Sequence, residues 1–191
     1  FKITKIMDLF FNTINKSKQN EIEELFSPYA CNVKFLNYDI TEILSNDIKK
    51  VILAKSLNAF QYHQVPVIVE HGALVVDYFN GFPGALSKPM WDLMKGKICD
   101  LIPTGETRKA KVISAVCYCD GKRRYPFFSE TEGIIADKPK GSLGFQFDPI
   151  FIPNGASETY AEMSQTEKLK YSQATKAYEQ LQYFLGLKKK K

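Results

Sequence analysis

The sequence predicts an α/β fold around a mixed, twisted β-sheet. Three observations carry that expectation. Runs with strand spacing alternate with runs of helical spacing along the chain. The pair Asp120-Gly121 separates two apolar runs and marks a hairpin, so part of the sheet is antiparallel. A length of 191 residues with 45% apolar content suits one core, or two lobes sharing one.

The elements follow in order. Residues 7–11 are apolar and strand-like. A polar turn, 12–18, leads into helical spacing at Glu21, Ile22, Leu25 and Phe26. Residues 32–38 read as a second strand, left by Asp39-Ile40-Thr41-Glu42. Residues 47–60 form an amphipathic helix with Ile48, Val51, Ile52, Leu57 and Phe60 on its apolar side. A buried strand at 66–69 is expected to end at Glu70-His71-Gly72, with a further apolar run at 73–78. Asn80-Gly81-Phe82-Pro83-Gly84 is a loop of turn residues, and a short amphipathic segment reaches Leu101. Residues 109–118 and 123–129 make the hairpin, with Pro126 confining the return strand to an edge or bulge. Residues 133–136 read as a separate short strand. A last helix, capped by Ser164, runs to about 185, where Gly186 ends it. Its apolar side holds Leu169, Ala177, Leu181 and Phe184.

Composition narrows the partners. The net charge is +5, but without the lysine run 188–191 it is only about +1, which argues against a nucleic-acid surface. The chain therefore reads as one domain over 1–187 and a basic tail, either a disordered, solvated end or an appended remnant. No apolar run reaches the length of a membrane span. Cys31, Cys99, Cys117 and Cys119 include no Cys-x-x-Cys pair and fit buried free thiols in a reducing cytoplasm. His63 reads as a solvated histidine, and Lys122-Arg123-Arg124 as a charged hairpin tip.

Two stretches carry chemistry. In 11–18 a strand, a turn and a helix start meet. Backbone N–H groups at a helix N-terminus attract anions, and Thr13, Asn15 and Lys18 add donors. A phosphate cradle and a plain helix cap fit those residues equally. In 141–164, Phe145 and Phe147 at spacing two face one way if the chain is extended, beside Asp148. That is either an aromatic platform with a fixed acceptor or a strand end with core aromatics.

Asn80-Gly-Phe-Pro-Gly84 with Lys88, Phe147-Asp-Pro-Ile-Phe151, Tyr160-Ala-Glu-Met-Ser164 and Thr13-x-Asn15-x-x-Lys18 stand in this order. Together they resemble the inosine triphosphate pyrophosphatases over nearly the whole chain. The resemblance implies an elongated, two-lobed fold with a nucleotide cleft between the lobes. It implies a (d)ITP or XTP substrate cleaved to monophosphate and pyrophosphate, Mg²⁺ as cofactor with Mn²⁺ as the alternative, and a homodimer. Thr13, Asn15, Lys18, Lys88 and Lys168 would hold the triphosphate. Phe145 and Phe147 would face the base, with Phe147 stacking on it, and Asp148 and Gln173 would fix its edge. Glu42 and Glu70 would lie at the metal and, with His71, make the catalytic set.

Two positions depart from the family pattern. His71 stands where the family has an aspartate at the metal, and imidazole is a poor Mg²⁺ ligand. Ser172-Gln173-Ala174 replaces a Ser-His-Arg that contacts the base edge. Phosphate and stacking elements thus persist while the water-activating group does not. In this the chain resembles the pyrophosphatase-like subunits of bacterial anti-phage systems, which respond to dITP beside a sirtuin-like, NAD-consuming effector. The expected function is a nucleotide sensor; the alternative is an active pyrophosphatase.

Overall fold

The computed structural model describes residues 6–190. Strand β1 (Met7–Asn12) has strand β2 (Cys31–Leu36) parallel on one side and strand β3 (Val67–Val76) parallel on the other. Parallel neighbours need long crossovers. Helix α1 (Lys16–Phe26) supplies one and helix α2 (Ile48–His63) the other. Ile22 and Phe26 of α1 pack with Leu9, Phe11 and Ile68, whereas Ile52 and Ala59 of α2 pack with Val67 and Val69. Ile68 and its two neighbours point to opposite faces of β3, so α1 and α2 cover opposite faces of the sheet.

The rest of the sheet is antiparallel. Strand β4 (Pro83–Gly84) pairs with β3 at Val75 and Leu74 and leads into helix α3 (Ser87–Met94). Strand β5 (Lys109–Cys119) lies against the full length of β3, strand β6 (Arg124–Ile135) against β5, and strand β7 (Phe151–Pro153) against the end of β6. The sheet is mixed, as expected. Pro126 pairs with Cys117, and β7 reaches only Gly133–Ile135, so Pro126 lies on an outer stretch of β6. Helices α4 (Gln165–Tyr171) and α5 (Gln173–Phe184) close the chain, and Tyr178 and Leu181 of α5 join the α1 side of the core.

Several expectations need correction. Glu70-His71-Gly72 does not end a strand: β3 runs through it, because each of these residues is paired with β5. Residues 133–135 belong to β6 and are not a separate strand. Residues 141–147 form no strand. Gly144 and Gln146 take positive φ, and Asp148 closes a turn by accepting from Phe145 N at 2.7 Å, so the two phenylalanines do not share a face. The last helix is two helices, broken where Ser172 turns extended and caps α5. Leu57 is exposed rather than on the buried side of α2. Lys188 O accepts from Ala30 N at 2.9 Å, and Lys190 N donates to Pro28 O at 2.7 Å. All four cysteines are free thiols, with Cys99, Cys117 and Cys119 buried. Burial pushes the Cys99 and Cys117 thiols up to about 11, so they are inert at neutral pH. Among the described residues no helix is long and apolar enough to cross a membrane.

Candidate functional site

Beyond Ile68, β3 has left β1, and it meets β4 from Leu74 onward, at Leu74 and Val75. The edge of β3 at Glu70–Gly72 is therefore open on that side. It opens next to the end of β1, where α1 begins and where the crossovers leave for opposite faces. Ligand clefts form at such reversal points, because diverging connections cannot fill the space between them. A cavity of about 450 Å³ lies there.

Thr13, Asn15, Lys18, Glu42, Glu70, His71 and Lys88, all anticipated from the sequence, line this cavity together. The turn before α1 is tightly built. Asn15 caps the helix by accepting from Lys18 N at 3.1 Å, and Thr13 Oγ1 accepts from Asn15 N at 3.2 Å. Gln19 Nε2 donates to Thr13 O at 2.9 Å and ties the turn to the helix. The sequence allowed a cap or a cradle. Asn15 is the cap, and the turn that it stabilises lies on the cavity wall.

Cations and carboxylates in the cavity come in pairs. Lys55 Nζ lies 2.6 Å from Glu42, Lys88 Nζ 2.9 Å from Asp92, and Lys18 Nζ 3.7 Å from Glu70. Glu70 also accepts from Ser114 Oγ at 3.0 Å and Tyr178 OH at 3.1 Å. Burial pushes the Glu42 carboxyl up, but the His71 hydrogen bond and the Lys55 charge outweigh it and hold it well below the usual carboxylate range. Burial lowers the Lys55 ammonium, against the pull of Glu42.

His71 is buried, with Nε2 2.9 Å from Ala85 O and Nδ1 3.4 Å from Glu42. A carbonyl only accepts, so Nε2 carries a proton and is closed to any ion. These residues do not fit Mg²⁺. Each Glu42 and Glu70 oxygen has a protein partner, and the third side chain at this edge is an imidazole. Among the described residues no group of three or more His, Cys, Asp or Glu side chains is arranged to hold a metal.

The remaining anticipated residues stand behind this wall. Phe147 is only 3% exposed and belongs to the apolar core, so its ring offers no free face. Phe145 is half-buried, with Lys18 Nζ 5.5 Å and Lys168 Nζ 4.8 Å from its ring centre. Lys168, expected among the phosphate ligands, is buried beside Asp148 at 2.9 Å and Glu21 at 3.5 Å and does not line the cavity. Gln173 is buried, and its side-chain oxygen accepts from Tyr160 OH at 3.4 Å.

Sequence reasoning missed four residues. Lys55 sits on α2 four positions after Val51 and four before Ala59, both buried. A lysine on the buried stripe of an amphipathic helix was the available signal. Tyr178 lies on α5 between Ala177 and Leu181, two residues expected on the apolar side of the last helix. Its hydroxyl, set beside Glu70, titrates well above the ordinary tyrosine range because it is buried. Glu21 looked like an ordinary helix-surface glutamate. It is buried, and burial against only partial relief from Lys168 lifts its carboxyl to about 7. His63 is half-exposed, and its Nε2 lies 2.8 Å from the side-chain oxygen of Asn12, which lines the cavity.

A model described as the Ham1 family matches residues 9–184. The chain is 37% identical over 175 residues to the dITP/XTP pyrophosphatase of Methanopyrus kandleri, covering 91% of this chain and 93% of that protein. It is 33% identical over 190 residues to the inosine triphosphate pyrophosphatase of Kluyveromyces lactis, covering 93% and 95%. The structure of a HAM1 protein from Coxiella burnetii matches with a TM-score of 0.80 at 23% identity, covering 95% of this chain and 99% of that one, a likeness of fold.

Proposed function

Because the chain belongs to the Ham1 family, we propose that its cavity binds a deaminated purine nucleoside triphosphate, of the dITP or XTP kind, and holds it with little or no hydrolysis. The observation that carries this reading is His71. It is fixed between Glu42 and Ala85 in the same cavity that gathers Lys18, Lys55 and Lys88. The lysines and the α1 N-terminus suit a polyphosphate. The imidazole withholds an oxygen ligand from the place where water would be activated.

The base is read beside Phe145. A purine ring displaces the two ammonium groups from the face of Phe145, which frees Lys18 to turn toward phosphate. On this reading the Lys168–Asp148 pair, buried behind the wall in the free chain, opens to the base and offers a donor next to an acceptor. A 6-oxopurine presents an acceptor at O6 and a donor at N1, which matches. Adenine presents the reverse and leaves both buried groups facing like partners.

The regulatory part of the proposal is that the loaded chain reports to a partner by a population shift. The assembly that the resemblance implies is a cytoplasmic homodimer, joined in a larger complex by an NAD-depleting effector of an anti-phage system. The second reading is an active pyrophosphatase, favoured by the names of the relatives. One incubation separates the two. Pure protein is mixed with dITP and Mg²⁺ or Mn²⁺, desalted rapidly, and its nucleotide identified. Intact retained dITP supports the sensor. Rapid release of dIMP and pyrophosphate supports the enzyme, and a result with neither retained triphosphate nor cleaved product overturns both.

A further inference from the structure

We infer that this cavity binds its triphosphate without a divalent ion, with the Lys55 ammonium bridging Glu42 and a phosphate oxygen as a metal would. The inference rests on the reading of the cavity as a triphosphate site.

Glu42 has one oxygen 2.6 Å from Lys55 Nζ and the other 3.4 Å from His71 Nδ1. Glu70 has one oxygen accepting from Ser114 and the other from Tyr178, with Lys18 beside it. A magnesium ion takes about six oxygen ligands in near-octahedral array. To gain even two here it must strip the carboxylates of their donors, and it meets an imidazole where a third oxygen is needed. His71 cannot rotate to help without leaving Ala85 O.

Cationic contacts for a polyphosphate are already in place on the wall, each shared with a carboxylate. An ammonium has three donors. Lys55 spends one on Glu42 and keeps the others for phosphate, so carboxylate and phosphate share one cation and need not repel each other. Its stem is held on α2 near Val51 and Ala59, and its side chain is only 16% exposed, so the charge is fixed in place and poorly screened. Lys18 and Lys88 lie on the same wall, on α1 and α3. A single charge on nitrogen is a weaker electrophile than a divalent ion. The arrangement therefore favours holding the nucleotide over cutting it.

Calorimetry with dITP, in excess chelator and again in millimolar Mg²⁺ or Mn²⁺, tests the inference. The dissociation constant is expected to agree within about threefold among the three buffers, a difference well under 1 kcal/mol. Binding about tenfold tighter with metal, or seen only with metal, overturns the inference and leaves the triphosphate reading standing. No binding in any buffer overturns that reading instead. K55M in chelator is expected to weaken binding by about tenfold or more. Binding by a folded K55M as tight as that of the parent chain overturns the role of Lys55, and the metal comparison on the parent chain decides the inference even if K55M does not fold.

Discussion

Position 71 is where the proposed lack of hydrolysis is tested most directly. In His71→Asp an oxygen pair replaces a ring whose Nε2 is tied to Ala85 and whose Nδ1 faces Glu42. The substitution is expected to raise pyrophosphate release from dITP in Mg²⁺ by about 10²-fold, the size typical of a restored general base. A coupled pyrophosphate assay reads it, and an unchanged rate points to a second lesion elsewhere. Glu21 makes a prediction of stability. Its carboxyl titrates at about 7 in the fold against an ordinary 4.5. Between those values the native state binds more protons than the unfolded chain, so stability falls as pH rises from 4.5 to 7 and the loss is complete above that. The span is worth of the order of 3 kcal/mol. Glu21→Gln, which stays neutral, is expected to lose less stability than the parent between pH 5 and pH 8 in urea titrations; equal losses would contradict the assignment. The depressed carboxyl of Glu42 works the other way, adding stability above 4.5 that is lost in acid. Glu42, Glu70 and His71 were legible in the sequence because they fall in recognisable runs. Glu21 and Lys55 were not, since their meaning lies in which residues from distant elements bury them.

Most element types and many boundaries were legible, because alternation and helical spacing report local burial. The failures share a cause: tertiary hydrogen bonds override a smooth local pattern. The 164–185 run keeps helical spacing, yet it breaks at Ser172 because Tyr171 O accepts from Thr131 at 2.7 Å and from Tyr160 OH at 3.1 Å. The 141–147 stretch looks extended by residue type, yet Asp148 folds it into a turn and sends Phe147 to the core. Gly133 explains how β6 continues where a new strand was expected. A Cβ there would lie 2.2 Å from Ile152 O and 2.7 Å from the Phe151 ring, so the glycine lets β7 approach. Gly133→Ala must therefore push β7 away, and it is expected to cost about 2–3 kcal/mol. A melting temperature lower by roughly 5–10 °C checks this. A shift under about 1 °C would mean that β7 yields without cost.

At the scale of the molecule, the fold places the cavity where parallel and antiparallel halves of one sheet separate. β1 and α1 bring Thr13 to Lys18, α2 brings Lys55, β3 brings Glu70 and His71, and α3 brings Lys88. No single element holds the site, so a ligand that engages all of them must tighten the whole fold. The paired lysines make this a switch of partners, carboxylate to phosphate, rather than a filling of empty space. Ligand at about 100 times its dissociation constant adds about 2.7 kcal/mol to the native state. For a chain of this size that is a rise in melting temperature of about 5–10 °C. If the base is read by Lys168 and Asp148 as proposed, the rise is expected with dITP and to be much smaller with dATP. It should also persist in chelator, because the cations that draw the elements together belong to the chain. Equal shifts for the two nucleotides would place recognition in the phosphates alone. That outcome would remove the base side of Phe145 from the account while leaving the lysine wall intact.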